Sequence, residues 1–150
     1  MCSSLVRLLM LIGSLLVTAS SNAAVDNVLA RLERDHPHCL PETVRSGEAD
    51  KFSELGRERF VETLAVQEMG YSQSANNLVK NCKNQVMKRF GVHFVTLASL
   101  DLRLPKDFLH PSIPNDEAGQ CSELETLAAV HRVAGCLILV GDHKQLCCLP

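Results

Sequence analysis

The stretch that decides the fold is residues 116–146, DEAGQCSELETLAAVHRVAGCLILVGDHKQL. It opens on two adjacent acids, Asp116 and Glu117, with Gln120 three residues on. Ser122 and Glu125 have the spacing of a capping box, in which each side chain satisfies a backbone N–H at a helix start. The predicted helix runs through Ala134 with Gly135 as its stop. Five apolar residues, 136–140, then form a predicted buried strand leading into Gly141-Asp142-His143-Lys144-Gln145. A buried strand that delivers polar residues at its carboxyl end is how open α/β sheets present chemistry to a ligand.

Working outward, the β-branched run 92–97, VHFVTL, predicts a second strand. Strand, helix, strand in this order implies a crossover between parallel strands. Residues 101–115 read as a loop, because Pro105, Pro111 and Pro114 interrupt them and two prolines would remove ladder donors from any central strand there. Upstream, apolar spacing predicts helices over 25–36 (Val28, Leu29, Leu32), 48–69 (Phe52, Leu55, Phe60, Leu64) and 74–90 (Leu78, Cys82, Val86, Met87). Residues 24–91 are thus expected to be mostly helical.

The amino terminus has its own pattern. Arg7 precedes an apolar run over residues 8–20, and Ser21 and Ala23 occupy the −3 and −1 positions of a cleavage site. Too short to span a bilayer, this run has the layout of a secretory signal over residues 1–23. The chain would then be secreted, with no transmembrane anchor. Removing Cys2 with the signal leaves Cys39, Cys82, Cys121, Cys136, Cys147 and Cys148, an even number compatible with three disulfides but with no spacing that selects a pairing. His36, His38 and Cys39 cluster without a partner pair, so zinc is not expected.

Composition limits the partners. The net charge is −2, aromatic residues are 4% of the chain and Trp is absent, so neither a basic excess nor a base-stacking platform points to nucleic acid. Lys80, Lys83, Lys88 and Arg89 gather on one predicted helix and read as its solvated face.

The D-E-A-G-Q segment followed by L-I-L-V-G-D-H-K-Q-L resembles motifs II and III of superfamily 1 helicases. The similar branch is that of the nonsense-mediated-decay RNA helicase and its relatives. Phe94-Val95-Thr96-Leu97-Ala98-Ser99 looks like the strand that precedes those motifs, and the resemblance covers about residues 92–146. It implies a partial RecA-like P-loop NTPase layer over 92–150, a few parallel strands with helices. By position it makes Asp116 the acid that holds Mg²⁺ through water and Glu117 the catalytic base. Gln120 and Gln145 become phosphate contacts or couplers, Asp142 and Lys144 link nucleotide state to strand movement, and Thr96 and Ser99 touch RNA or DNA.

Two departures qualify it. No G-x-x-x-x-G-K-[ST] occurs, and no Gly in the chain is followed by Lys, so the loop and lysine that hold the β- and γ-phosphates are missing. The segment before Asp116-Glu117 carries prolines where the family has a continuous apolar strand. The expectation is a truncated helicase-like chain, from a family of ATP hydrolases using Mg-ATP, that binds no nucleotide and is inactive alone. The alternative is a small secreted cysteine-containing protein that engages a protein partner. By family the compartment would be nucleus or cytoplasm, by signal the exterior.

Overall fold

A computed structural model of the chain describes residues 3–69, 76–105 and 107–142, with the backbone alone for 68, 69 and 76–81. Its centre is a five-stranded parallel sheet: β1 (Leu15–Ala19), β2 (Thr43–Arg45), β3 (Val92–Thr96), β4 (His110–Asp116) and β5 (Val133–Leu139), in the order β2-β3-β1-β4-β5. The helices are α1 (Ser3–Met10), α2 (Asn22–Asp35), α3 (Glu54–Glu58), α4 (Val61–Met69), α5 (Asn76–Arg89), α6 (Leu100–Arg103) and α7 (Glu123–Val130). Parallel sheets bury both faces, and two apolar clusters do this here. Leu15, Val17, Ala19, Val92 and Phe94 pack with α1 and α2 through Val6, Val25, Leu29 and Leu32. Leu16, Val95 and Ile113 pack on the other face with Val61, Ala65, Val86, Met87 and Ala129.

The middle strand, β1, comes from the apolar run that has the layout of a secretory signal. All five of its residues are buried. Residues 11–14 separate it from α1, and the Ser21 hydroxyl caps α2 by accepting from Ala24 N at 3.1 Å. The run is therefore a helix end, a turn and a strand. Residues 24–91 are mostly helical, as expected, and add the short strand β2.

Residues 101–115 depart from the loop expected of them. They hold α6 and then β4, which lies between β1 and β5 despite Pro111 and Pro114. Each proline sits where the ladder does without it. Pro111 is second in the strand, where the β4–β5 register shifts between His110 and Ser112. Gly135 makes room for it, because a Cβ there would come 2.6 Å from the Pro111 carbonyl oxygen. Gly135 thus lies inside β5 and does not end α7. Around Pro114 the β1–β4 register passes from Leu15↔Ser112 to Thr18↔Asn115, and the Thr18 hydroxyl donates to Asn115 Oδ1 at 3.1 Å. The expected crossover is found as β4-α7-β5, with the capping box of Ser122 and Glu125 formed. β3 is not part of it, being two strands from β4.

The predicted helix over 48–69 is broken into a 3-10 turn, α3 and α4. Arg45 causes the break from β2. Its backbone N–H donates to Arg59 O at 2.7 Å, drawing the α3–α4 junction onto the strand edge. Its side chain is fully buried: Nε donates to Asp26 Oδ1 at 3.1 Å, Nη2 to Asn22 Oδ1 at 2.7 Å, and Nη1 to the carbonyls of Ser46 and Phe94. Asp26 in turn accepts from Ser53 N at 2.6 Å, the start of α3. Asp26→Ala would leave Arg45 buried and unpaired, a loss of about 3–5 kcal/mol, to be measured by urea unfolding.

At the amino end of the sheet, His93 stacks on Phe108 at 4.8 Å and His110 meets both rings edge-on. Burial pushes His93 down to about 4, partly opposed by the Phe90 carbonyl, and pushes His110 down to about 3, helped by His93 and Arg132. Both rings stay neutral in the fold while the unfolded chain protonates near 6.5. The unfolded state binds more protons below that pH, so stability present above it is lost as pH falls from about 6.5 toward 4. Urea midpoints should drop steeply across that window, and His110→Phe should flatten the dependence.

Candidate functional site

The loops at the carboxyl ends of β4 and β5 face the first turns of α2 across a cavity of about 280 Å³. Asp116 and Glu117 enter it from β4, Asp142 and Gly141 from β5, and Asn27 and Arg31 from α2. β1, whose chain continues into α2, lies beside β4 in the sheet. Connections leave β1 toward β2 and leave β4 toward β5, so the cavity lies where strand order changes direction, the usual ligand position in an open α/β sheet.

Backbone geometry sets the acids. Glu117 has φ 54° and ψ 37°, and is the non-glycine residue with positive φ among the described residues. Holding a side chain in this left-handed region costs about 1 kcal/mol, a strain found most often where a turn must aim a functional group. The turn is fastened on both sides: Ala118 N donates to Val140 O and Val140 N to Asn115 O, each at 2.9 Å. Gly141 allows this approach, because a Cβ would stand 3.1 Å from Gly119 N. Beneath the acids, buried Asn115 accepts from Thr18 and donates to Cys121 Sγ at 3.5 Å. That link ties β1 to the turn.

Of the residues expected at the site, Asp116, Glu117 and Asp142 come together. Gln120 is exposed on the 3-10 turn that follows them. Thr96 and Ser99 sit at the carboxyl end of β3, where the buried Thr96 hydroxyl donates to Ser99 Oγ at 3.0 Å. Lys144 and Gln145 lie outside the described residues. Sequence reasoning missed Asn27, Arg31, Thr18 and Asn115. Their signal was the run S-S-N directly after β1, a helix cap at a strand end, hidden by its likeness to a cleavage site.

Three carboxylates against one guanidinium give the cavity a negative excess. Among the described residues no three His, Cys, Asp or Glu side chains are grouped as a metal cage. Mg²⁺ does not need one, since it keeps several waters and takes one or two carboxylates. Asp116 with a neighbouring acid fits that share. The remaining ligands would be phosphate oxygens, and the chain has no phosphate-loop motif to hold them. Among the described residues Cys39, Cys82, Cys121 and Cys136 form no disulfide.

A parallel sheet covered on both faces, with acids at the ends of adjacent strands, makes this a partial RecA-like α/β layer. Residues 80–149 match the family model of an AAA domain. That match fits a superfamily 1 helicase-like family, whose partners are nucleic acids. No curated protein matches the chain. Among the described residues no helix is long and apolar enough to cross a membrane.

Glu117→Gly should relieve the left-handed turn and raise stability by about 1 kcal/mol. Glu117→Gln, keeping the Cβ, should leave it within about 0.5 kcal/mol of the parent. Thermal unfolding of the two variants checks this.

Proposed function

We propose that the chain is a helicase-like motor-lobe segment, of the nonsense-mediated-decay branch, that carries the metal-and-water side of an ATPase site and does not turn over ATP by itself. The observation that carries the reading is the fastened turn bearing Asp116 and Glu117 opposite Asp142, at the carboxyl ends of adjacent parallel strands. Asp116 would hold hydrated Mg²⁺ and Glu117 would orient and deprotonate the attacking water. Phosphoryl transfer rests on positioning and charge neutralisation, so loss of the phosphate cradle removes most of the rate. Gln120, Gln145, Asp142 and Lys144 would couple the site to movement, and Thr96 and Ser99 would meet RNA or DNA.

The secreted alternative loses ground to the fold. Cleavage after Ala23 would delete β1, which carries ladder contacts to both β3 and β4. The compartment that goes with this reading is the nucleus or cytoplasm, where the family works.

With Mg-ATP and single-stranded RNA the purified chain should release phosphate no faster than buffer, and Glu117→Gln should change nothing. Magnesium-dependent turnover abolished by Glu117→Gln would overturn the reading.

A further inference from the structure

The two edges of the sheet are finished differently. At β2 the edge is closed: the strand has three residues, all buried, and Arg45 N donates to Arg59 O. At the other end β5 pairs with β4 on one side and, among the described residues, with no strand on the other. Its residues, Val133-Ala134-Gly135-Cys136-Leu137-Ile138-Leu139, carry no charge and no proline. Such continuous apolar runs belong to strands buried on both faces, yet Ala134, Gly135, Cys136 and Leu139 are exposed. Open edges are normally guarded by lysine, proline or an inward charge, because a bare row of N–H and C=O groups pairs with any strand that reaches it. None of these guards is present on β5. On α7, which packs against β5, Leu124, Leu127 and Val130 are exposed as well, three residues apart along the helix.

The order of side-chain sizes along β5 selects what covers it. The small residues Ala134 and Gly135 lie in the first half of the strand, and Leu137, Ile138 and Leu139 in the second. A copy of the same strand running antiparallel, centred on Cys136, sets Ala134 against Ile138 and Gly135 against Leu137 on both sides of the centre. A parallel copy in register would set large against large and small against small. An edge without charge repels no copy of itself and offers a charged partner nothing to pair with. His131, just before the strand, and Asp142, just after it, are both exposed, and antiparallel pairing brings the imidazole end of each copy to the carboxylate end of the other. We propose that β5 is a self-association edge, on which a second copy of this chain pairs antiparallel about a two-fold axis at Cys136 and joins the two five-stranded sheets into one. Two-fold closure is the commonest way in which copies of one chain assemble. With the axis perpendicular to the sheet, the two copies of α7 lie on the same face and flank it. The proposal rests on the strand edge, not on the acid pocket, and is independent of whether the chain hydrolyses ATP.

Sedimentation of the purified chain, together with cross-linking by a short bis-maleimide, tests it. The parent chain should run at twice the mass of one copy. Mass spectrometry should find residue 136 joined to residue 136, since directly opposed Cα atoms in an antiparallel pair stand about 4.5–5.5 Å apart. Cys136→Ser should remain dimeric and lose that cross-link. Cys136→Lys and Cys136→Asp should each weaken self-association about tenfold, because like charges then face each other across the axis, and mixing the two variants should restore it. Their circular dichroism should match the parent, this side chain being exposed in the single chain. Should either charged variant fail to fold, the mass and the cross-link of the parent chain decide the matter. A monomer at every concentration, growth into assemblies larger than two, cross-links that never join 136 to 136, or a dimer indifferent to both charges would overturn the proposal.

Discussion

The contact between Arg45 and Asp26 is the one on which the rest of the structure depends. A fully buried guanidinium is tolerable only when its donors are used, and here Asp26, Asn22, Ser46 and Phe94 take them while Phe52 lies 4.2 Å from its face. Desolvation pulls its pKa down, and the charge and hydrogen bond of Asp26 oppose that. Through these bonds one side chain fixes β2 to β3, α2 to the sheet, and the start of α3 to α2. Because α2 forms one wall of the acid pocket, the clamp also sets the position of Asn27 and Arg31.

The acid pocket shows how backbone economy and chemistry meet. The Glu117 turn is strained, and Gly119 and Gly141 pass close enough for their loops to share hydrogen bonds. Asn115, Thr18 and Cys121 hold the turn from below, so the acids project from a rigid base. The chain thus has an ordered pair of acids facing a third carboxylate, together with a sequence that lacks a phosphate loop.

The two strands that sequence pattern supported, β3 and β5, were recognisable because β-branched or continuous apolar runs leave few other readings. The helix α7 was legible from Ser122 and Glu125, a local device that works without tertiary help. β4 was not legible, because the rule against proline in a central strand assumes that every N–H is needed. Pro111 falls at a register shift beside Gly135, and at Pro114 the β1–β4 register is interrupted, with the Thr18 hydroxyl bonded to the Asn115 side chain next to it. β1 was not legible for a different reason: an apolar run ending in small residues satisfies both a secretion signal and a strand buried on both faces.

By itself the sequence determined the α/β character, the capped helix α7, the strand after it, and the pairing of acids with an absent phosphate loop. These follow from local periodicity, capping chemistry and motif spacing, all carried by neighbours along the chain. Only the tertiary structure decided that β1 is the middle strand, that β4 tolerates its prolines, and that α2 closes the acid pocket. Those depend on contacts between residues tens of positions apart, such as Thr18 with Asn115 and Asp26 with Arg45, whose partners local pattern cannot identify.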